Sequence, residues 1–166
     1  DGSLDYLKLN TEGQKNNSSL SAPTSTVFTG AGSSTASYRI FVAYCFAEVQ
    51  GYSKFGSYVG NGNANGTFVY TGFKPAWIMI KKYDTSDDSW VILDNKRNST
   101  NVVNGRLFPD LTNAESTSTD MVDFLSNGFK LRTSGSAYNG NAVGYISMAF
   151  AENPFVTSTG IPTTAR

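Results

Sequence analysis

Large and small apolar residues alternate along two segments of the chain, residues 41–50 (FVAYCFAEVQ) and residues 145–154 (YISMAFAENP). Side chains point alternately to the two faces of a strand, so the large residues share one face and the small residues share the other. The large residues are Val42, Tyr44 and Phe46 in the first copy and Ile146, Met148 and Phe150 in the second. Because neither face is polar, we predict central strands at 38–48 and 143–152, with the bulky face in the core of a sandwich and the small face open to a loop or a second subunit.

Further short apolar runs, separated by polar turns, predict more strands. These runs are residues 68–70, 76–82, 90–93 and 128–133, and turns recur about every 8–15 residues. The best helical pattern is residues 118–125 (STDMVDFL), whose apolar residues show a spacing of three to four. The fold class that follows is all-β, an antiparallel sandwich or barrel with at most one short helix.

The duplication extends beyond the two strands. Residues 1–50 resemble residues 104–155, whereas residues 51–103 have no earlier counterpart. We therefore interpret residues 1–166 as one β-sandwich domain, made of a half repeat (1–50), a full repeat (51–155) and a C-terminal tail (156–166). A chain that starts within a repeat is expected to be a fragment or a processed product.

Composition supports a globular β protein and excludes several partners. Ser, Thr, Asn and Gly make up 68 of the 166 residues while aromatic residues make up 13%, which suits short strands joined by polar turns. Thirteen basic and thirteen acidic residues give zero net charge, so nothing favours nucleic acid or an anionic membrane. No apolar run reaches the ~20 residues of a membrane helix. The one cysteine, Cys45, lies in an apolar run and is predicted to be a buried thiol.

The chemistry available to the chain argues against an enzyme. Histidine is absent, which removes Ser-His-Asp and Cys-His catalysis and the commonest metal ligand. Glu48 and Glu152 could form a glycosidase-like carboxylate pair, but their equivalent places in the duplicated strand explain them without catalysis. The segment DTSDD at residues 84–88 could bind Ca²⁺ or form a solvated turn, and we favour the turn. We predict no cofactor, no metal and no catalytic residue.

Aromatic and amide side chains in predicted loops suggest a surface for saccharides. Such a surface combines flat apolar rings with groups that bond hydroxyls. The candidate residues are Tyr58, Asn61, Asn63, Trp90, Asp94, Asn95 and Arg97. Two alternatives remain open: an Asp94–Arg97 ion pair and a plain hairpin turn at residues 58–66.

Several phrases of the sequence resemble an uncharacterised domain family of tail-fibre-like proteins of marine bacteriophages. They are AYCFAEVQGYSKFGSYVGNG, FVYTGFKPAWIMIKK, WVILDNKR and LSNGFKLRT, and the resemblance covers residues 40–166. It implies a concanavalin-like jelly roll on the virion, outside the cell, that forms homo-oligomers, expected as trimers. The implied partners are other virion proteins and a host-surface glycan. Adhesion to that glycan is the first expected function; capsid or tail decoration, or fibre assembly without a ligand, is the alternative, and a polysaccharide-degrading enzyme is a weaker third.

Overall fold

The computed structural model describes residues 5–17, 22–28, 42–86 and 88–153. These residues form eight strands and one short helix. In chain order the elements are β1 (Ser53–Val59), β2 (Phe68–Tyr70), β3 (Pro75–Lys82), β4 (Val91–Asp94), β5 (Arg106–Leu107), β6 (Val122–Leu125), β7 (Gly128–Leu131), α1 (Ser136–Asn139) and β8 (Gly144–Ala151).

Two antiparallel sheets make up the fold. One has five strands in the order β1-β8-β3-β4-β5, and the other has three in the order β2-β7-β6. Ile78, Leu93 and Tyr145 of the larger sheet share one buried cluster with Phe129 and Leu131 of the smaller sheet. The all-β antiparallel sandwich is therefore confirmed, while the jelly-roll connectivity stays a prediction.

Most of the predicted strands are present. The apolar runs at 68–70, 76–82, 90–93 and 128–133 correspond to β2, β3, β4 and β7. The predicted central strand at 143–152 is β8, which pairs with β1 on one side and with β3 on the other. Three strands were not predicted from the sequence: β1, β5 and β6.

The helix predicted at residues 118–125 is wrong. Residues 122–125 are β6, which forms a two-residue hairpin with β7 and pairs Val122 with Leu131 and Phe124 with Phe129. The buried side chains of β6 alternate with half-buried ones, as a strand with one face in the core requires. The only helix within the described residues is α1, which is four residues long.

The first copy of the duplicated strand is not a strand over its described part, residues 42–48. Val42 is 75% exposed and Tyr44 is 83% exposed. Cys45 is an exposed free thiol, so the prediction of a buried cysteine is also wrong. Residues 38–41 of that prediction lie outside the described residues.

The two faces of β8 are arranged in the opposite sense to the prediction. Tyr145, Ser147, Ala149 and Ala151 point into the core and are buried. The bulky face of Ile146, Met148 and Phe150 is only half-buried and points away from the smaller sheet. The core accepts the small face because Phe124, Phe129 and Leu131 of the smaller sheet supply the bulk.

Candidate functional site

The outward-pointing side chains of the five-stranded sheet form a surface that we call the outer face. Its middle is one row of apolar residues across all five strands, each directly opposite the next in the strand register. The row consists of Phe55, Met148, Met79, Ile92 and Leu107. An antiparallel sheet whose second face meets water usually carries polar residues there. The outer face is therefore an apolar surface that the described residues leave partly open.

An aromatic cluster lies at one end of the outer face. The Phe150 ring centroid lies 5.7 Å from that of Trp77, 5.8 Å from those of Tyr52 and Phe55, and 5.9 Å from that of Phe46. Phe46 is still 60% exposed, so the cluster covers only part of its ring. Phe46 is one of the residues through which the 42–48 segment touches the sheet; the Ala47 carbonyl and the Glu48 carboxylate also bond to β1.

The opposite end of the outer face is covered by the 5–17 segment. The indole Nε1 of Trp90 donates to the carbonyl of Lys8 at 3.1 Å, and the Nζ of Lys81 donates to the carbonyl of Glu12 at 2.9 Å. The Glu12 carboxylate also accepts a hydrogen bond from the Ser89 hydroxyl at 3.0 Å. Strand β3 and the residues before β4 thus hold this segment in place.

Two adjoining cavities lie between these ends and share Ser57, Trp90 and Ile146 in their walls. The first, of about 570 Å³, has a mainly apolar wall that includes Phe55, Met79 and Met148. The second, of about 530 Å³, has a more polar wall made of Asp5, Tyr6, Leu7, Lys15 and Tyr83 besides the shared residues. Together they form a groove that is apolar on one side and amphipathic on the other.

Tyr58, the first of the predicted glycan-binding residues, is a core residue. Its ring stacks on that of Tyr145 at a centroid distance of 5.0 Å, and its hydroxyl donates to the carbonyl of Tyr138 at 2.7 Å. Burial, followed by the neighbouring tyrosines, raises the pKa of Tyr58 well above its ordinary value. The ring is 7% exposed, so its face is closed to a sugar.

Asn61 and Asn63 lie in the exposed loop between β1 and β2, as expected, but their side chains already bond within it. The Asn61 carbonyl oxygen accepts from the Asn63 backbone at 3.0 Å, and the Asn63 carbonyl oxygen accepts from the Asn65 backbone at 2.8 Å. Fully buried Asn139 of α1 holds the loop: its amide donates to Asn61, to the carbonyl of Asn63 and to the carbonyl of Thr133. No pattern in the sequence indicates this role of Asn139.

Trp90 is 8% exposed and lies against the groove described above. Its backbone N–H donates to the Asp110 carboxylate at 3.3 Å, and its indole N–H donates to the backbone carbonyl of Lys8. Trp90 therefore offers the groove a small part of its ring surface rather than an open sugar platform.

Asp94 and Arg97 form an ion pair at the end of β4, next to Asn95. Arg97 Nε lies 2.6 Å from Asp94 Oδ2, and its Nη1 lies 3.0 Å from a Glu115 carboxylate oxygen. Burial acts to raise the pKa of Asp94, but hydrogen bonds from Arg97 and the Lys96 backbone outweigh it and lower the pKa. This is the ion-pair alternative of the sequence analysis. Asn95 lies outside that pair: its Nδ2 donates to the Glu152 carboxylate at 3.2 Å, and its buried Oδ1 has no hydrogen-bond partner among the described residues.

The two duplicated glutamates make separate surface ion pairs. Glu48 bonds Lys54 and the backbone N–H of Phe55, and Glu152 bonds Lys96 and Asn95. The hydrogen bond from the partner lysine is the main reason that the pKa of each carboxyl is lowered. A general acid needs a raised pKa, so neither carboxyl has the environment of one.

Neither a metal site nor a membrane-spanning helix is found among the described residues. No group of three or more His, Cys, Asp or Glu side chains is placed to hold a metal ion. The described part of the chain also contains no helix with the length and apolar character required to cross a membrane.

Comparison with known proteins gives a family but no function. The family model described as a domain of unknown function, DUF7483, matches residues 2–154. Neither the search of curated proteins nor that of solved structures gave a match.

Proposed function

We propose that this chain, which belongs to the DUF7483 family of domains of unknown function, is a non-catalytic assembly module that binds protein through its outer face. The observation that carries the proposal is the apolar row that crosses all five strands from Phe55 to Leu107. Apolar side chains that stay partly open on a sheet face, where polar residues are usual, often mark an interaction site.

The energetics of the outer face favour a protein partner over a sugar. Apolar surface contributes about 25 cal/mol per Å² when it leaves water, and a flat sheet face offers few groups that could bond hydroxyls. Met79 and Met148 in the middle of the face are flexible and adapt to the shape of a partner. A second protein surface can cover this row completely, whereas a saccharide requires polar groups among the apolar ones.

The resemblance to tail-fibre-like proteins suggests where such a module works. On that basis the assembly is a virion fibre or decoration, its location is extracellular, and the other partners are virion proteins. Homo-oligomers, expected from the sequence as trimers, belong to the same proposal.

Photo-crosslinking tests the protein-binding role without assuming which partner is bound. Ile146 is replaced by p-benzoylphenylalanine on the outer face, and Tyr70, 65% exposed on β2 of the other sheet, is replaced in the same way as a control. Irradiation in cells that make the natural assembly should give protein adducts from position 146, identified by mass spectrometry, and several-fold fewer from position 70. Equal yields from the two positions contradict the proposal.

Saccharide recognition is the second candidate function, favoured by the amphipathic cavity beside Trp90 and the amide-rich loop. Ser57, Tyr83 and Lys15 supply hydroxyl and ammonium groups to that cavity, next to the apolar side chain of Ile146. Asn61 and Asn63 lie on the exposed loop held by Asn139, where a saccharide would compete with the hydrogen bonds that their side chains make within the loop. A single site of this kind would bind weakly, at about millimolar Kd, and linked copies could raise the avidity by ~10²–10⁴.

A glycan array distinguishes this candidate from the assembly role. Ser57 lies in the shared wall of the two cavities, so Ser57→Trp places a large ring in them. Asn63→Ala removes an amide from the loop. If the chain recognises saccharides, the parent binds a defined set of glycans, and at least one of the two folded variants no longer binds them. Binding that is unchanged in both variants places the receptor site elsewhere.

A further inference from the structure

We infer that the 5–17 and 42–48 segments belong to the second half of a further sandwich unit, and that they bind a partner which supplies its first half. In this domain the first half, residues 51–103, carries β1 to β4, and the second half, residues 104–155, carries the other elements. Residues 1–50 resemble the second half, so the chain has one first half for two second halves. This partner is additional to the one proposed for the outer face.

The 5–17 segment has the backbone pairing of its counterpart in the second half. Tyr6 and Asn16 form an antiparallel bridge with N–O distances of 3.0 and 2.9 Å, and Arg106 and Ser116 form one with 3.0 and 3.1 Å. Both bridges join residues ten apart, and they enclose similar polar sequences, LNTEG and LTNAE. Arg106 belongs to β5, which pairs with β4, whereas Tyr6 has no bridge partner other than Asn16 among the described residues. The segment therefore has the form of β5 without a β4 beside it.

The 42–48 segment is the counterpart of β8, but it lacks the two strands that lie beside β8. Its sequence VAYCFAE matches ISMAFAE at residues 146–152, and large and small residues alternate in the same order. β8 lies between β1 and β3, whereas the large residues of the 42–48 segment are exposed, Tyr44 to 83%. Apolar residues on both faces are typical of strands that are covered on both sides. The segment therefore has the sequence of a central strand without the neighbours of one.

The register of β8 specifies the partner. Met148, the counterpart of Tyr44, lies directly opposite Phe55 of β1 and Met79 of β3. In this chain β8 already occupies the place between those strands, so the 42–48 segment requires another first half. The partner is therefore a polypeptide of this family whose strands resemble β1 and β3 and pair antiparallel with the segment. Main-chain hydrogen bonds give such strand addition its affinity, and the alternate side chains give it specificity.

An extended chain, in which a second copy of residues 51–103 is joined ahead of Asp1, supplies the missing first half. Cys45 is the counterpart of buried Ala149, so its side chain should enter the core of the new unit. Thiol modification of Cys45 should slow by ~100-fold or more relative to the parent, because a core thiol reacts only when the structure opens. Hydrogen exchange at residues 42–48 should become as slow as in β8.

The matched control is the extended chain with Ile78→Asp and Ile80→Asp in the added copy alone. Both isoleucines are fully buried in β3, so these changes remove the core side chains of the added strand and keep the length of the chain. Cys45 should react as fast in this control as in the parent. Unchanged reactivity in the extended chain, or equal protection in the extended chain and the control, would overturn the inference.

A disulfide tests the register. In a Cys45→Ser background, the extended chain receives Tyr44→Cys together with Met79→Cys in the added copy. Mild oxidation should form an intrachain disulfide, because residues directly opposite in an antiparallel pair have Cα atoms about 4.5–5.5 Å apart. Tyr44→Cys with Tyr70→Cys in the added copy is the control and should give several-fold less. Equal yields from the two pairs, or no disulfide from either, would contradict the proposed place of the segment between β1-like and β3-like strands.

Discussion

Phe129 of β7 and Phe150 of β8 are both phenylalanines in strands, but their side chains have different environments. Phe129 is fully buried between the sheets, where its ring lies 6.3 Å from that of Tyr58. Phe150 is half-buried on the outer face within the aromatic cluster. Phe129→Ala should lower the free energy of unfolding by ~3–5 kcal/mol, as for a fully buried ring. Phe150→Ala should lower it by about 1–2 kcal/mol, because less apolar area returns to water.

Urea unfolding at a concentration where the chain is monomeric measures both changes. Tyr70→Ala, at a 65% exposed position, is the control for loss of an aromatic ring at the surface. Equal destabilisation by the two phenylalanine variants would mean that the bulky face of β8 lies in the core after all.

Tyr58 makes the stability of the domain sensitive to alkaline pH. Burial raises its pKa well above the ordinary value of 10.0, and burial also raises the pKa of Tyr138 and of Tyr145. Above about pH 10 the unfolded chain loses these phenolic protons while the folded chain keeps them, so the free energy of unfolding falls as pH rises. The stabilisation is fully present below the tyrosine pKa of the unfolded chain, and it is lost as the pH rises through the higher pKa of the folded chain.

Denaturant unfolding between pH 8 and 11 tests this dependence. Tyr58→Phe should be less stable at pH 8, because the hydrogen bond to Tyr138 is lost, and should show a shallower decline above pH 10. Tyr70→Phe controls for removal of a hydroxyl at the surface. An unchanged slope in Tyr58→Phe would exclude Tyr58 as the source.

At the scale of elements, the two copies of the duplicated strand differ in what lies beside them. β8 receives a ladder of hydrogen bonds from β1 and another from β3. The other copy, residues 42–48, has no such ladder. The pairing with β1 stops at the bridge between Val49 and Ser53, because the N–H of Phe55 donates to the Glu48 side chain instead of to a backbone carbonyl. The same pattern therefore gives a central strand at one place and an exposed segment at the other.

The reactivity of Cys45 tests whether residues 42–48 are an exposed segment in solution. A thiol reagent should modify Cys45 in the native chain at a rate close to that in denaturant, because the side chain is exposed. Hydrogen exchange should be fast at residues 42–48 and slow at residues 144–151, where the amides are bonded in a central strand. Slow thiol modification together with protection of residues 42–48 would show that the segment has a sheet partner in solution.

At the scale of the whole molecule, both sheets depend on one core. Trp77 lies in β3 and Trp90 directly before β4, so tryptophan fluorescence reports on the five-stranded sheet, whereas far-UV circular dichroism reports on both sheets. Because Phe129 and Leu131 of the smaller sheet belong to the same cluster as Ile78 and Leu93, we expect the two signals to change together with urea. Separate transitions would show that the smaller sheet unfolds on its own.

The sequence by itself determined the all-β antiparallel class and the positions of β2, β3, β4, β7 and β8. Those features are local, because period-two alternation and Gly- or Asn-rich turns act over a few residues. The pattern at residues 118–125 was ambiguous for the same reason: four apolar residues suit a short helix or a strand, and only the partner strand β7 made it a strand.

The tertiary structure decided which faces and which side chains are exposed. Both faces of β8 are apolar, so alternation identified a strand but could not identify its inner face; the bulky side chains of the smaller sheet placed the small residues inside. Tyr58 and Trp90 were predicted at a surface because they stand next to polar loops, yet long-range contacts with Tyr138 and Lys8 bury them. The outer face could be found only when the register aligned Phe55 with Met148 and Met79, because residues distant in sequence become one surface through strand pairing.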